Sequence, residues 1–213
     1  MFVKDWMTSP AITITKDKAL PEAVKIMREK KIKRLPVVDE HNKLIGLLSD
    51  MEIQEYLPSE ATTLDAFELG YLLNKIKVEK VMKTIVFATR PDVSIEEAAM
   101  EMHDRSVSSL PVIENDKVVG IITERDVFKE LIDITGIRNG GHRICVVIKD
   151  VSGSIKEVAD IVRDAGYGIE STLSSHSCTK EGYRKVVLRT RGNGDIIKMK
   201  NGILKNYPDA IIN

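Results

Sequence analysis

The chain has 213 residues, of which 43% are hydrophobic and 30% charged, a composition typical of a globular protein with one or two compact domains. Lysine plus arginine and aspartate plus glutamate both number 32, so the formal charge of zero argues against a broad nucleic-acid or membrane surface. The two cysteines, Cys145 and Cys178, indicate neither a disulfide framework nor a zinc ribbon. Because the chain has no apolar run of about 20 residues and no signal-peptide core at its start, we expect a cytoplasmic protein.

An internal repeat organises the first two thirds of the chain. Met7 matches Met82 and Pro36 matches Pro111 at an offset of 75, and a one-residue deletion in a turn then changes the offset to 74. We therefore predict a first copy at residues 1–57 and a second at residues 78–135.

Each copy predicts the same order of elements, namely strand, helix, strand, strand and helix. The first strand lies at residues 11–15 or 85–89, and the two later strands lie at residues 35–38 and 44–48 or at 110–113 and 118–122. The apolar positions of the first helix, which should face the core, are Leu20, Ala23, Val24 and Met27, matched by Ile95, Ala98, Ala99 and Met102. Each copy is too small to bury its own sheet well, so the two should pack face to face and leave clefts between them.

The last strand of each copy runs directly into the second helix. The junction contains Gly120, Thr123 and Asp126 in the second copy, and Gly46, Ser49 and Glu52 in the first. A helix N-terminus holds anionic groups, and a short carboxylate beside it can accept two ribose hydroxyls, which suits a nucleotide. The same pattern also suits a simple helix cap. Its duplication favours the nucleotide site.

This tandem, with its hydrophobic-Pro-Val strands and its repeated glycine-to-carboxylate junction, resembles a pair of CBS domains, a Bateman module, over residues 1–135. The resemblance implies a sensor without catalytic activity, in which strands sandwich the base of AMP, ADP, ATP or S-adenosylmethionine and basic side chains meet the phosphates. The implied binding residues are Thr123, Asp126, Arg125 and Pro111 in the second copy, and Ser49, Glu52, Lys33, Arg34 and Pro36 in the first. Glu52 replaces the expected aspartate, and its extra methylene moves the carboxylate further out.

Basic residues distinguish the two implied clefts. Lys33 and Arg34 stand in the first copy where the second has Ser108 and Ser109, so the first cleft is expected to favour more phosphate. Arg125 would partly compensate in the second cleft.

Residues 58–77 connect the copies. A cap at Thr63 and apolar residues at helical spacing predict a helical connector rather than a flexible tether. Its apolar stripe, which would pack either on its own domain or on a second subunit, is Leu64, Phe67, Tyr71 and Leu72.

A different segment follows the glycines of residues 136–142, which predict a hinge. Strands are predicted at residues 144–148, 169–174, 185–190 and 210–212, with helices beginning near residues 154 and 195. This βαββαβ order predicts a ferredoxin-like sandwich over residues 143–213, so the whole chain is assigned to the α+β class.

Asp150, Gly153 and Ile155 at the first strand-to-helix turn of this segment resemble the motif of ACT domains, which bind amino acids or similar small metabolites. Gly153 either lets a ligand approach the helix N–H groups or serves only the turn. A tandem CBS pair followed by an ACT domain resembles the AcuB-type acetoin-utilisation proteins. That resemblance implies a homodimeric regulator of acetoin or acetyl-group catabolism that acts on an unknown target protein.

Other functional classes find little support in the sequence. The four histidines fit no catalytic or metal-binding signature, and the nearest His/Cys group, His176 with Cys178, lies in a predicted polar loop. The basic run at residues 28–34 is typical of a solvated helix end, so nucleic-acid binding is not expected. The alternative of a different class is a DNA-associated transcriptional regulator that responds to a metabolite.

Overall fold

The computed structural model describes residues 1–56 and 74–213. The chain divides into two compact units, Met1–Val127 and Phe128–Asn213. The connector predicted at residues 58–77, including its stripe of Leu64, Phe67, Tyr71 and Leu72, lies outside the described residues except for its last four positions.

The first unit contains two similar series of elements. The first series is α1 (Val3–Trp6), β1 (Ile14–Thr15), α2 (Leu20–Lys30), β2 (Arg34–Val38), β3 (Leu44–Ser49) and α3 (Asp50–Tyr56). The second series is α4 (Val78–Val81), α5 (Ile95–Asp104), β4 (Ser109–Glu114), β5 (Lys117–Thr123) and α6 (Glu124–Ile134). In both series the last helix begins at the residue directly after the last strand, as the junction pattern predicts.

The two series also share their strand register. β2 pairs antiparallel with β3 and places Pro36 opposite Leu47, and β4 pairs antiparallel with β5 and places Pro111 opposite Ile121. The predicted first strand is shorter than expected in the first series, and in the second it is reduced to a single bridge between Thr89 and Val112. The prediction of a strand at residues 85–89 is therefore wrong, because only Thr89 reaches the backbone of β4.

The short helices α1 and α4 each pack in the core of the other series. Val3 in α1 is fully buried in a cluster with Ile95 and Leu110, whereas Val78 in α4 is fully buried with Leu20 and Leu35.

Backbone pairing follows the same exchange. Thr8 and Ile121 exchange both N–H···O bonds, at 2.9 and 3.1 Å, and Lys83 and Leu47 exchange theirs at 2.9 Å each. We call residues 9–56 with 76–83 the first half of this unit, and residues 1–8 with 84–127 the second half.

The predicted helix faces are largely the buried ones. Leu20, Ala23 and Met27 in α2 are buried, but Val24 is exposed because the buried stripe follows the i, i+3, i+7 spacing and leaves the adjacent position at its edge.

The second unit has the element order strand, helix, strand, strand, helix and strand. After a 3₁₀ turn at Ile137–Asn139, its elements are β6 (Arg143–Lys149), α7 (Ser154–Asp164), β7 (Gly168–Ser175), β8 (Tyr183–Arg191), α8 (Ile196–Asn206) and β9 (Ile211–Ile212). The sheet order is β7-β8-β6-β9 with antiparallel neighbours throughout. A single apolar core forms where α7 and α8 cover one face of the sheet.

The glycine-rich segment predicted as a hinge is tied to β8 in this structure. A Cβ placed on Gly141 would lie 1.9 Å from the carbonyl oxygen of Thr190, and the His142 N–H donates to the Thr190 hydroxyl oxygen at 2.8 Å. Gly141 also has a φ of +78°, so only glycine fits this close approach.

Candidate functional site

The junction of β5 and α6 brings Thr123 and Asp126 into direct contact. The Asp126 carboxylate oxygen Oδ2 accepts a hydrogen bond from the Thr123 N–H at 3.1 Å and one from the Thr123 hydroxyl at 2.7 Å. Asp126 is only 5% exposed. A carboxylate is therefore held at the first turn of α6, where the N–H groups of the helix favour negative charge.

The equivalent junction in the first half has the same geometry with a longer side chain. The Glu52 oxygen Oε2 accepts from the Ser49 N–H at 2.9 Å and from the Ser49 hydroxyl, and the Ser49 oxygen accepts from the Met51 N–H at 3.2 Å. The other Glu52 oxygen lies 2.8 Å from the Lys83 ammonium nitrogen.

The charge of Glu52 is stabilised by these contacts. Burial of the carboxyl acts to raise its pKa, but the hydrogen bonds from Lys83 and from Ser49 outweigh burial, so the pKa of Glu52 is lowered from its ordinary value. Glu52 is therefore ionised and paired at neutral pH.

A third hydroxyl–carboxylate pair shows what a simple cap looks like in the same chain. Ser94 and Glu97 form a complete capping box at α5, in which each side chain accepts from the other residue's N–H. Glu97 is exposed and Ser94 is half-buried, whereas Asp126 is buried. The hydrogen-bond pattern alone thus fits a cap, and burial is what distinguishes the junction in the second half.

The structure separates the two basic residues predicted for the first cleft. The Arg34 guanidinium crosses to the second half and donates to the Ser108 hydroxyl oxygen, while the Ser108 carbonyl accepts from the Glu124 N–H at 3.2 Å. Arg34 is therefore connected through Ser108 to the start of α6. Lys33 instead extends into solvent, with its ammonium nitrogen 3.7 Å from an Asp50 carboxylate oxygen.

The remaining predicted residues of this unit lie on the same elements. Pro36 and Pro111 are buried in β2 and β4. Each lies two residue pairs from the end of the neighbouring strand, at Ser49 or Thr123. Arg125 is exposed on the first turn of α6.

In the second unit, the predicted residues Asp150, Gly153 and Ile155 line a depression of about 410 Å³ between β6 and α7, together with Lys156 and Arg184. Gly153 has a φ of +88°, and a Cβ placed there would meet no atom within 4 Å. The turn conformation rather than close packing therefore explains the glycine.

Asp150 in this depression already has two partners. Its Oδ2 lies 2.9 Å from the His176 Nε2 atom, and its Oδ1 accepts from the Arg184 Nε at 2.6 Å. The hydrogen bond with His176 and then that with Arg184 lower the pKa of Asp150 from its ordinary value. Neither partner could be assigned from the sequence, because both lie more than 25 residues away along the chain.

Within residues 1–56 and 74–213, no group of three or more His, Cys, Asp or Glu side chains is arranged to hold a metal ion. Across the same ranges, no helix has the length and apolar character needed to span a bilayer.

Comparison with known proteins first identifies the repeated element. The CBS domain family matches residues 3–59 and 78–133, together more than half of the chain. A homoserine O-acetyltransferase of Methanohalobium evestigatum is 32% identical over 127 residues, and an L-aspartate semialdehyde sulfurtransferase of Methanocaldococcus jannaschii is 31% identical over 126 residues. Each match covers 59% of this chain, but it covers only 23% and 22% of those two proteins.

Solved structures give matches that cover nearly the whole of the other chain. The CBS domain pair of protein MJ0100, in complex with 5′-methylthioadenosine and S-adenosyl-L-methionine, has a TM-score of 0.51 and 29% identity, and the match covers 62% of this chain and 95% of that one. A Vibrio cholerae protein assigned to acetoin utilization (AcuB) has a TM-score of 0.53 and 28% identity over 65% of this chain and 95% of its own. The protein CBSX2 in complex with AMP has a TM-score of 0.53 and 25% identity over 62% and 97% of the two chains.

Proposed function

The chain belongs to the CBS domain family, and we propose that its first unit is a sensor without catalytic activity that binds an adenosyl ligand, namely AMP, ADP, ATP or S-adenosylmethionine. One observation carries the proposal, the buried pairing of Thr123 with Asp126 at the first turn of α6. CBS domain pairs of similar structure that were crystallised with adenosyl ligands support it.

In this proposal, Asp126 accepts hydrogen bonds from the ribose hydroxyls. Its burial favours such contacts, because a hydrogen bond to a charged group is stronger where water is excluded. The Thr123 hydroxyl and N–H hold one carboxylate oxygen in place and thereby orient the group before the ligand arrives. In the same proposal, Pro111 of the neighbouring strand β4 contacts the base.

Arg34 supplies positive charge for the phosphates of a nucleotide in the same site. Its guanidinium reaches the second half through Ser108, which is itself bonded to the N-terminus of α6. A guanidinium and a helix N-terminus on the same side of a ligand both favour a phosphate group. We therefore assign Arg34 to the second half, although the sequence predicts it for the first cleft.

The test is calorimetric titration of the wild type and of Asp126→Ala with AMP, ADP, ATP and S-adenosylmethionine. Loss of a charged hydrogen bond to the ribose should cost about 1.5 to 3 kcal/mol, which corresponds to roughly ten- to a hundredfold weaker binding. Asp126→Asn keeps the shape of the side chain but removes its charge, so its affinity for the ligand should also fall. Equal affinity in wild type and Asp126→Ala would refute the role of Asp126.

The matched control for this experiment is Glu97→Ala. This variant removes a carboxylate from an equivalent hydroxyl–carboxylate pair that is exposed at another helix. It should lose the bond from the Ser94 N–H to the Glu97 carboxylate and about 1 kcal/mol of stability, without any change in affinity.

We further propose that the second unit is an ACT domain whose loop at Asp150, Gly153 and Ile155 binds an amino acid or similar metabolite, with Arg184 beside it. The ferredoxin-like order of its elements and the depression at this loop support the assignment. In this proposal the chain is a homodimeric regulator of acetoin or acetyl-group catabolism that acts on an unknown target protein. The similar Vibrio cholerae protein supports the link to acetoin.

The second part of the proposal has its own tests. Titration of the full chain with a panel of free amino acids should give saturable heat that Arg184→Ala reduces. Sedimentation equilibrium should give the mass of a dimer. Absence of heat with every amino acid would remove the metabolite assignment, and a monomer mass would remove the dimer.

A further inference from the structure

Lys83 and Thr8 occupy equivalent positions in the two halves. They match at the repeat offset of 75, and each forms the isolated bridge to the strand that ends at the hydroxyl residue, Lys83 to Leu47 and Thr8 to Ile121. The repeat thus has a lysine beside the first junction at the position where the second has a threonine.

In the first half, the Lys83 ammonium group forms an ion pair with the Glu52 carboxylate. Lys83 Nζ lies 2.8 Å from the Glu52 oxygen that Ser49 does not use, so protein groups occupy both oxygens of Glu52. The Glu52 side chain is 13% exposed, whereas that of Lys83 is 68% exposed and reaches the carboxylate from outside. Glu55 is the other acidic group that acts on Lys83.

We propose that Lys83 is an internal counter-ion for Glu52, that it excludes the ribose from the first half, and that the chain binds one adenosyl ligand, in the second half. This inference rests on the proposed function for the identity of the ligand. It adds the stoichiometry and names the residue that determines it.

The energetics favour the internal partner. A ribose hydroxyl would have to replace an ammonium on a largely buried carboxylate. Both groups would donate a charge-assisted hydrogen bond, but only the ammonium brings the opposite unit charge. The ammonium is also part of the same chain, so its pairing requires no loss of translational freedom. Glu52 therefore holds Lys83 in preference to a neutral ligand group.

A different role for Lys83 makes the opposite prediction. If the ammonium contacted the phosphates of a nucleotide in the first half, then its removal would weaken binding there. Under our proposal its removal creates binding.

The first experiment is calorimetric titration with AMP and with S-adenosylmethionine, using wild type, Lys83→Thr, Asp126→Ala and the double variant Lys83→Thr/Asp126→Ala. We expect one equivalent for the wild type and two for Lys83→Thr, which places the residue of the second half in the first. Asp126→Ala should weaken the single wild-type site roughly ten- to a hundredfold, and the double variant should keep one tight equivalent, in the first half. Lys80→Thr is the matched control, because it removes the same charge from the same segment, residues 76–83. It should still bind one equivalent of ligand.

Two outcomes of this titration would overturn the proposal. One is two equivalents in the wild type, and the other is an unchanged or smaller number in Lys83→Thr. Absence of binding in wild type and in all variants would instead refute the proposed function.

A second experiment judges the pairing without any ligand. The carboxyl carbon of Glu52 is followed by NMR through a pH titration of the wild type, Lys83→Thr and Lys80→Thr. The titration midpoint of Glu52 should move upward in Lys83→Thr only, because the ammonium stabilises the ionised carboxyl. An unchanged midpoint in Lys83→Thr would overturn the inference even if the proposed function stands.

Discussion

Gly46 and Gly120 each pack against a methionine from the segment that follows a short helix, Met82 after α4 and Met7 after α1. A Cβ placed on Gly46 would lie 2.6 Å from the Met82 sulfur, and one on Gly120 would lie 2.6 Å from the Met7 sulfur. The carbonyl oxygens of Lys83 and Thr8 would each be 3.0 Å from the new carbon. The glycines of the junction motif are therefore needed for close packing between the halves, in addition to any role at a ligand site.

We expect Gly46→Ala to destabilise the chain by about 1 to 3 kcal/mol, because the added methyl group overpacks a filled contact. Denaturant unfolding measures this. Adding Met82→Ala should give a double variant less destabilised than the sum of the two single variants, since the sulfur is the first atom that the methyl group meets. Gly168→Ala, whose new Cβ would have ordinary contacts, is the control and should change stability by less than about 0.5 kcal/mol. Additive effects at Gly46 and Met82 would contradict the packing explanation.

The pair of Glu52 and Lys83 also predicts a pH dependence of stability. The pKa of Glu52 is lower in the folded chain than in the unfolded one, so its contribution is fully present above the unfolded pKa of about 4.3 and is lost as pH falls through the folded pKa. Lys83 is mostly exposed, so we expect a contribution below about 1 kcal/mol.

Unfolding free energies measured from pH 7 down to pH 3 should therefore decrease less in Lys83→Thr than in the wild type. Lys80→Thr should follow the wild-type curve. Parallel curves for wild type and Lys83→Thr would show that the pair adds nothing to folding.

At the level of elements, α1 and α4 hold the two halves of the first unit together, because each packs in the core of the other series. Each has only four residues, so its stability comes from packing rather than from helix propensity. Val3 of α1, and Val78 and Val81 of α4, are buried in the core of the opposite series.

We expect Val3→Ala to loosen the second half and Val78→Ala to loosen the first, each by about 2 kcal/mol, because a buried side chain is truncated. Native-state amide exchange followed by mass spectrometry distinguishes the two. Val3→Ala should accelerate exchange in α5 and β4, and Val78→Ala should accelerate it in α2 and β2. Phe2→Ala, at an exposed neighbour, is the control. Faster exchange in the sequence copy that contains the substitution would contradict the exchanged packing.

The features that the sequence predicts well are local ones. The Leu-Pro strands and the pairing of Thr123 with Asp126 depend on residues only a few positions apart, so spacing alone identifies them. The sequence does not show that α1 and α4 pack in the core of the opposite series. Both copies have equivalent apolar residues, so either helix could pack against either core.

The contacts that the sequence misses are those between distant charged or polar residues. The repeat alignment does signal Lys83, since it places lysine opposite Thr8, but the residue becomes informative only when Glu52 is seen beside it. Its position beside Lys33 predicts that Arg34 faces the first cleft, but the long Arg34 side chain crosses to Ser108, a contact that residue spacing cannot predict.

At the level of the whole molecule, helix α6 belongs to both units. It begins at the Thr123–Asp126 junction, and the boundary between the units falls between Val127 and Phe128 within the same helix. Each α-helical N–H donates to the carbonyl four residues earlier, so order at the first turn is carried into the next. A ligand held by Asp126 should therefore stabilise helical residues that belong to the second unit.

We expect saturation with AMP to slow amide exchange from Glu124 to Leu131, and not only as far as Val127. At a free concentration of about 100 times Kd, openings that require ligand release should become roughly a hundredfold rarer. Phe128→Gly should confine the protection to the first turn, because glycine costs about 1 kcal/mol in a helix.

The control for this last experiment is Phe128→Ala, which removes the same side chain while retaining helix propensity. The Phe128 side chain is 62% exposed, so its loss alone should matter little, and the alanine variant should keep the wild-type range of protection. Protection that stops at Val127 in the wild type, or that extends equally far in the glycine variant, would show that α6 does not carry ligand binding from one unit to the other. Protection that depends on an unbroken helix would identify α6 as the element through which the sensor is coupled to the second unit.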